Sequence, residues 1–225
     1  MTSRQPIEPP SSRYELPDPL VAPPGEDLIA VGADLEPGTL LAGYRGGLFP
    51  MPDDPDRRRA RLAWYSPDPR AILPLDGLRV TRSLRRSIRR YEVRHNHDFL
   101  ATVEACADPD RPNRWISRAF VDAYMALYEL GWTHSFESYL DGELVGGLYG
   151  IRIDGLFAGE AMFHRSTDAS KVALVSLVEW LTQTDAVLLD VQWQTDHLES
   201  LGSVEIPRNE YLGLLRRAIS PLPRS

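Results

Sequence analysis

The sequence predicts an α+β fold, a small N-terminal unit followed by a mixed sheet with flanking helices, and three observations carry the prediction. First, the apolar runs LVGGLYGIRI and LFAGEAMF are separated by Asp154-Gly155, a pair that tolerates the positive φ of a type I′ hairpin turn. Second, HRSTDAS offers several N-cap oxygens to KVALVSLVEWL, whose apolar residues recur at helical spacing, so the second strand feeds a buried helix. Third, AVLLDVQ reads as a buried strand whose end carries Asp190 and Gln192.

Composition sets the limits. A chain of 225 residues with 43% hydrophobic content can bury a full core. Cys106 is the only cysteine, which excludes an internal disulfide and a multi-cysteine metal site and suits a reducing compartment. No charged segment precedes an N-terminal apolar run, and no apolar stretch approaches the roughly 20 residues that cross a bilayer, so the expectation is a cytoplasmic protein with no membrane partner. A net charge of −7 argues against a polyanionic partner in general, yet Lys171 is the only lysine and the arginines are clustered.

Residues 1–27 contain seven prolines and little apolar periodicity, as in an extended or disordered arm. Residues 28–67 form the small N-terminal domain: Asp34 is placed to cap a short helix through Leu40 and Tyr44, which Gly46-Gly47 stops. DDPDRRRAR is a charged linker, and Trp64 and Tyr65 beside the proline-rich turn are either core or a recognition surface. The catalytic domain is assigned to residues 68–225. Thr81 or Ser83 caps a helix in which Leu84 and Ile88 face inward while Arg82, Arg85, Arg86, Arg89 and Arg90 cover the rest, either pairing with nearby acids or meeting a phosphate backbone. His95 and His97 alternate on a strand, but no third ligand is spaced to join them and no metal is expected. DFLATVEACA is a helix with Phe99, Val103 and Cys106 at core spacing. Ser117 caps the next, in which Val121, Tyr124, Leu127 and Tyr128 recur until Gly131. Trp115 stands just before it, able to stack on a base or to fill the core edge. THSFESYL alternates cleanly into a second hairpin turn, Asp141-Gly142.

In the last strand, period-two spacing puts Asp190 and Gln192 on one face, where an acid can orient an amide and an oriented amide can polarise a carbonyl. Glu160 and Lys171 fall where strand meets helix. A short helix, a strand and a last helix finish the chain. This order of elements matches an acetyltransferase-type (GNAT-like) sheet. Enzymes of that type hold coenzyme A on a glycine-rich loop, and RSTDASKVA has no glycine there, so coenzyme A is disfavoured and no cofactor is expected.

From Leu28 to Leu215 the motifs GADL, GLFP, WYSPDPRAIL, RSLRR, WISR, AYMALYELGWTHSFE, ELVGGLYG, LFAGEAMF, ASKVAL, DVQ and DHLESLGSVEIPR occur in one order. On these residues the chain resembles the leucyl/phenylalanyl-tRNA–protein transferase family. The resemblance implies a small N-terminal domain, an acetyltransferase-like domain, and transfer of leucine or phenylalanine from charged tRNA to proteins with an N-terminal arginine or lysine, marking them for degradation. It implies Gln192 at the reacting centre with Asp190 orienting it, Glu160 on the donor's amino group, and Leu148, Phe157, Leu177 and Leu189 around the donor side chain, with Ser170 near the donor. Trp115, Tyr124 and position 51 fall at the terminal adenosine. The family has tryptophan where this chain has Met51, a thioether that stacks less well than an indole, with Tyr65 at hand to compensate. The five arginines match the family's tRNA-binding cluster. A non-catalytic module that binds charged tRNA is the alternative that Met51 keeps open.

Overall fold

The computed structural model describes residues 5–54, 60–111 and 114–220. In chain order the N-terminal elements are β1 (Leu28–Val31), α1 (Pro37–Arg45), β2 (Phe49–Pro52) and β3 (Leu62–Tyr65). Then follow β4 (Arg70–Ile72), α2 (Arg82–Ile88), β5 (Glu92–His95), α3 (Phe99–Cys106), α4 (Arg118–Glu129) and β6 (Thr133–Leu140). The chain continues through β7 (Glu143–Ile153), β8 (Leu156–His164), α5 (Ala169–Gln183) and β9 (Leu188–Gln192). It closes with α6 (Asp196–Leu201), β10 (Val204–Ile206) and α7 (Arg208–Ile219).

The strands form two sheets. A three-stranded antiparallel sheet has the order β1-β3-β2, and a seven-stranded sheet has the order β10-β4-β9-β8-β7-β6-β5. All pairs in the large sheet are antiparallel except β8 and β9, which α5 connects as a crossover. Because successive side chains leave a strand on opposite faces, Tyr149, Ile151, Leu156, Ala158 and Leu188 pack into one core with α1, α3, α4 and α7. Their neighbours Leu148, Phe157 and Leu189 pack into a second core with α2 and α5. Gly146 permits this: a Cβ there would lie 2.5 Å from the Ala169 Cβ, so the start of α5 rests directly on β7.

Several local expectations change. The N-terminal unit is a sheet carrying α1, because LAWY pairs on both edges with β1 and β2. Glu36 stands at the N-cap of α1, and Asp34 caps no helix but accepts the Glu36 N–H. Arg57–Arg59 of the charged linker lie outside the described residues. β6 does not alternate: six of its eight residues are buried, as befits a central strand covered on both faces. Of the Asp154-Gly155 turn only Asp154 has positive φ, since Gly155 is held by the Ala218 carbonyl and by the Val187 and Leu188 amides. Both residues of Asp141-Gly142 are left-handed, as a type I′ turn requires. His97 lies past the end of β5 rather than on it. Thr81 and Asp98 cap α2 and α3 through their side chains, and Cys106 is buried, its thiol pushed up to about 12 by that burial. Among the described residues no helix is long and apolar enough to cross a membrane.

The proline-rich arm is extended but docked. Ile7 exchanges hydrogen bonds with the Leu130 carbonyl and the Trp132 indole. Further along, the buried Arg208 guanidinium donates to the carbonyls of Pro19, Ala22, Glu26 and Ser66. Replacing Arg208 with methionine keeps the volume and strands these acceptors. Stability should drop by about 3 kcal/mol in urea unfolding, with faster proteolysis within the arm; an unchanged midpoint would mean the arm is held elsewhere.

Candidate active site

The site exists because two strands part. β8 and β9 pair only from Leu156 to Ala158 against Leu188 to Asp190; beyond that β8 continues with β7 alone. β9 turns away at Gln192, a non-glycine residue with φ +68°. Between them opens a cavity of about 210 Å³. One wall is apolar, with Leu148, Met162, Leu174, Leu177, Leu189 and Val191. The other carries Tyr149, Glu160 and Gln192, and Thr195, His197 and Leu198 form the α6 side.

Glu160 is buried, and each oxygen of its carboxylate accepts from a side chain. Gln192 Nε2 donates to Oε1 at 3.0 Å and Tyr124 Oη to Oε2 at 2.6 Å, while Tyr44 Oη lies 3.0 Å from Tyr124 Oη. Burial pushes the carboxyl up to about 7, against the opposing pull of the Tyr124 and Tyr44 hydroxyls. At neutral pH the group therefore stands near half-protonation, in a position to accept a cation from an otherwise apolar slot.

Asp190 lies beneath this pair. Its Oδ1 accepts from Arg70 Nε and from the Gln192 backbone N–H, both at 2.9 Å. Its Oδ2 accepts from Arg70 Nη2 at 2.6 Å and Tyr211 Oη at 2.8 Å. With four donors in place, the carboxylate has no acceptor position left over. Asp190 thus holds Gln192 through its backbone, not through the side-chain amide as the spacing suggested. Burial pulls the Arg70 guanidinium down, but Asp190 and Tyr211 more than offset it and leave it raised.

Leu148, Leu177 and Leu189 line the cavity with Glu160 and Gln192, whereas Phe157 is fully buried behind it and Ser170 is buried in the first turn of α5. Tyr124 is also fully buried; its ring offers no face to a base, and its hydroxyl serves Glu160. Trp115 is half-buried, edge-on to Phe120 at 5.2 Å, and Met51 is half-buried on β2. Arg82, Arg85, Arg86, Arg89 and Arg90 are all exposed, and none pairs with an acid among the described residues. Lys171 pairs with Asp168 at 3.2 Å, not with Glu160, and Asp168 makes no capping bond because Ser87 and Lys171 occupy its side chain. Sequence reasoning missed Arg70, Tyr211, Tyr44, Tyr149, Leu174 and His197. Arg70 and His197 do stand inside the quoted motifs WYSPDPRAIL and DHLESLGSVEIPR, the one signal available for them.

A buried carboxyl with raised proton affinity, hydrogen-bonded to a primary amide in the lining of an apolar cavity, makes this the candidate active site. Comparison with known proteins gives the class. Residues 72–216 match the family model described as leucyl/phenylalanyl-tRNA protein transferase, and residues 33–68 match its N-terminal domain. The leucyl/phenylalanyl-tRNA–protein transferase of Anaeromyxobacter sp. (strain K) is 45% identical over 208 residues, covering 90% of this chain and 87% of that one. That of Herpetosiphon aurantiacus is 48% identical over 188 residues, 82% of this chain and 95% of the relative. The chain belongs to the leucyl/phenylalanyl-tRNA protein transferase family and is an aminoacyltransferase. Among solved structures, L-PGS from Bacillus licheniformis is 13% identical with a TM-score of 0.43 over 68% of this chain and 65% of that one, too loose a likeness to bear on the acetyltransferase reading.

The carboxyl of Glu160 has a folded-state value of about 7 against an ordinary 4.5. The stability it contributes is fully present below the ordinary value and is lost as pH rises through about 7. Glu160→Gln should remove that loss, so relative to the parent the variant gains about 3 kcal/mol between pH 5 and pH 8 in paired unfolding curves. Parallel pH profiles would show that Glu160 is not perturbed.

Proposed function

We propose that this chain moves leucine or phenylalanine, with methionine a third candidate, from aminoacyl-tRNA to the N-terminal arginine or lysine of acceptor proteins, marking them for degradation. One observation carries the reading: Glu160 and Gln192 meet in a hydrogen bond at the open end of an apolar slot. The donor side chain fills the slot between Leu148, Leu177 and Leu189, with Phe157 and Ser170 behind it. A charged side chain would lose its hydration there without a partner. Glu160 takes the donor's α-ammonium group, which places the ester carbonyl against Gln192.

The chemistry asks for little more. The ester is already activated, and the acceptor's amine attacks once deprotonated: a C–N bond forms, the ester C–O bond breaks, and the proton passes to the released ribose hydroxyl. The protein aligns the two reactants and steadies the developing oxyanion, for which the Gln192 amide is the available donor. Asp190 acts as a positioning residue through the Gln192 backbone. Trp115 and Met51 receive the terminal adenine, with Tyr65, packed on Phe49 and Trp193, as a further aromatic face; Tyr124 contributes from below through Glu160. The exposed Arg82, Arg85 and Arg86 of α2, with Arg89 and Arg90 just past its end, meet the tRNA backbone.

The parting of β8 and β9 supports the acetyltransferase-like reading of the catalytic domain, assigned to residues 68–225, with 28–67 as its small partner domain and 1–27 as an arm. Charged tRNA as donor supports a cytoplasmic location.

Purified protein with leucyl- or phenylalanyl-tRNA should modify a peptide beginning with Arg or Lys and spare one beginning with Ala. Gln192→Ala and Glu160→Ala, both folded, should each lose about 100-fold in transfer; full activity in either would remove that residue from the site. For tRNA binding, alanine at Arg86 or Arg89 should lower the slope of log affinity against log salt by about 1 each. A slope equal to the parent's would take α2 off the tRNA.

A further inference from the structure

Among the described residues three buried side-chain polar atoms lack a hydrogen-bond partner: Ser66 Oγ, Tyr149 Oη and His197 Nε2. Tyr149 and His197 both line the cavity that holds Glu160 and Gln192. Leaving such atoms unpaired is costly, so two of them in the wall of one cavity point to a ligand that completes them. They mark different parts of it. Tyr149 lies close enough to Glu160 for that carboxylate's charge to act on its phenol. His197, near the start of α6, lies within reach of the charges of Lys171, His164 and Asp168.

This second group leads outward to the basic surface. Asp168 accepts from Ser87 of α2 at 2.8 Å and pairs with Lys171 on α5. His197 thus lines the cavity of Glu160 and Gln192 while lying within electrostatic reach of the Asp168–Lys171 pair, which Ser87 joins to α2. Burial and the Lys171 charge hold its imidazole below the usual histidine range, so near neutral pH the ring is uncharged and one nitrogen keeps its lone pair.

The donor has its groups in the same order: side chain, α-amine, ester, ribose, phosphates. With the side chain in the slot, the amine on Glu160 and the ester at Gln192, the next group outward is the ribose. We propose that His197 Nε2 hydrogen-bonds the ribose hydroxyl next to the ester of the donor's terminal nucleotide and so fixes the ester against Gln192. The inference rests on the donor reading given above.

The test pairs a change in the protein with a change in the donor. Phenylalanyl-tRNA ending in adenosine or in 2′-deoxyadenosine is offered to the parent, to His197→Ala and to His197→Gln, whose amide stands near the place of Nε2. The deoxy donor should lower kcat/KM of the parent about 10-fold, and His197→Ala should lose about as much with the ordinary donor. Combined, the two should lose about 10-fold, not about 100-fold, because one hydrogen bond is removed twice. His197→Gln should recover activity with the ordinary donor only. Multiplying losses, a parent indifferent to the deoxy donor, or equal recovery of both donors would overturn the proposal. If His197→Ala does not fold, the parent and His197→Gln still decide it. A parent that transfers from neither donor refutes the aminoacyl-tRNA reading itself, an outcome distinct from these.

Discussion

The candidate site hangs from the ion pair between Arg70 and Asp190. Both side chains are 1% exposed, and the guanidinium lies between the rings of Phe49 and Tyr211, 4.7 and 4.4 Å from their centroids. Beyond Asp190 it donates to the Gly47 carbonyl and to Tyr211 Oη. One side chain thus ties the turn before β2, the strand β9 and the helix α7 to β4. A buried pair of this kind contributes less net stability than its short distances suggest, because each ion gives up its hydration; breaking one half costs about 3–5 kcal/mol because the other charge is left alone. Its use is geometric. Asp190, held from one side by Arg70 and Tyr211, holds the Gln192 backbone from the other, and so stabilises the left-handed turn that carries the amide into the cavity.

That turn is where sheet regularity gives way to chemistry. Parallel pairing would bury the edges of β8 and β9 against each other, and the parting leaves Glu160 and Gln192 to satisfy one another instead. The apolar wall is the ordinary core of α5 and β9 laid open, so the cavity and the core share the same leucines. A carboxylate placed at such a seam is poorly hydrated, and its raised proton affinity follows from position alone, with tyrosines moderating it.

Much of this was legible from residue order. The hairpins, the crossover from β8 through α5 and the polar end of β9 are local signals, written in turn residues and periodicity, whereas Leu148, Glu160, Leu177, Leu189 and Gln192 were brought together only by the family resemblance. What could not be read was partnership across long separations. Arg70 meets Asp190 across 120 positions and Tyr124 meets Glu160 across 36, with no periodicity to announce either. The three-stranded sheet was hidden for a different reason: FPMP contains two prolines, which sequence rules count against a strand, yet it pairs along one edge only. Tyr124 was set at the adenosine by the resemblance, while helical spacing already put it on the inward face without saying how deep it lies.

The Arg208 staple has a consequence for how the molecule is made. Its donors meet the Pro19 carbonyl across 189 positions, so the later part of the arm waits for nearly the whole chain to be synthesised before its partner exists. Until α7 leaves the ribosome, those carbonyls lack the Arg208 donors. Docking of the arm is then among the last steps of maturation, and the arm's attachment reports that the C-terminal helix has reached its place.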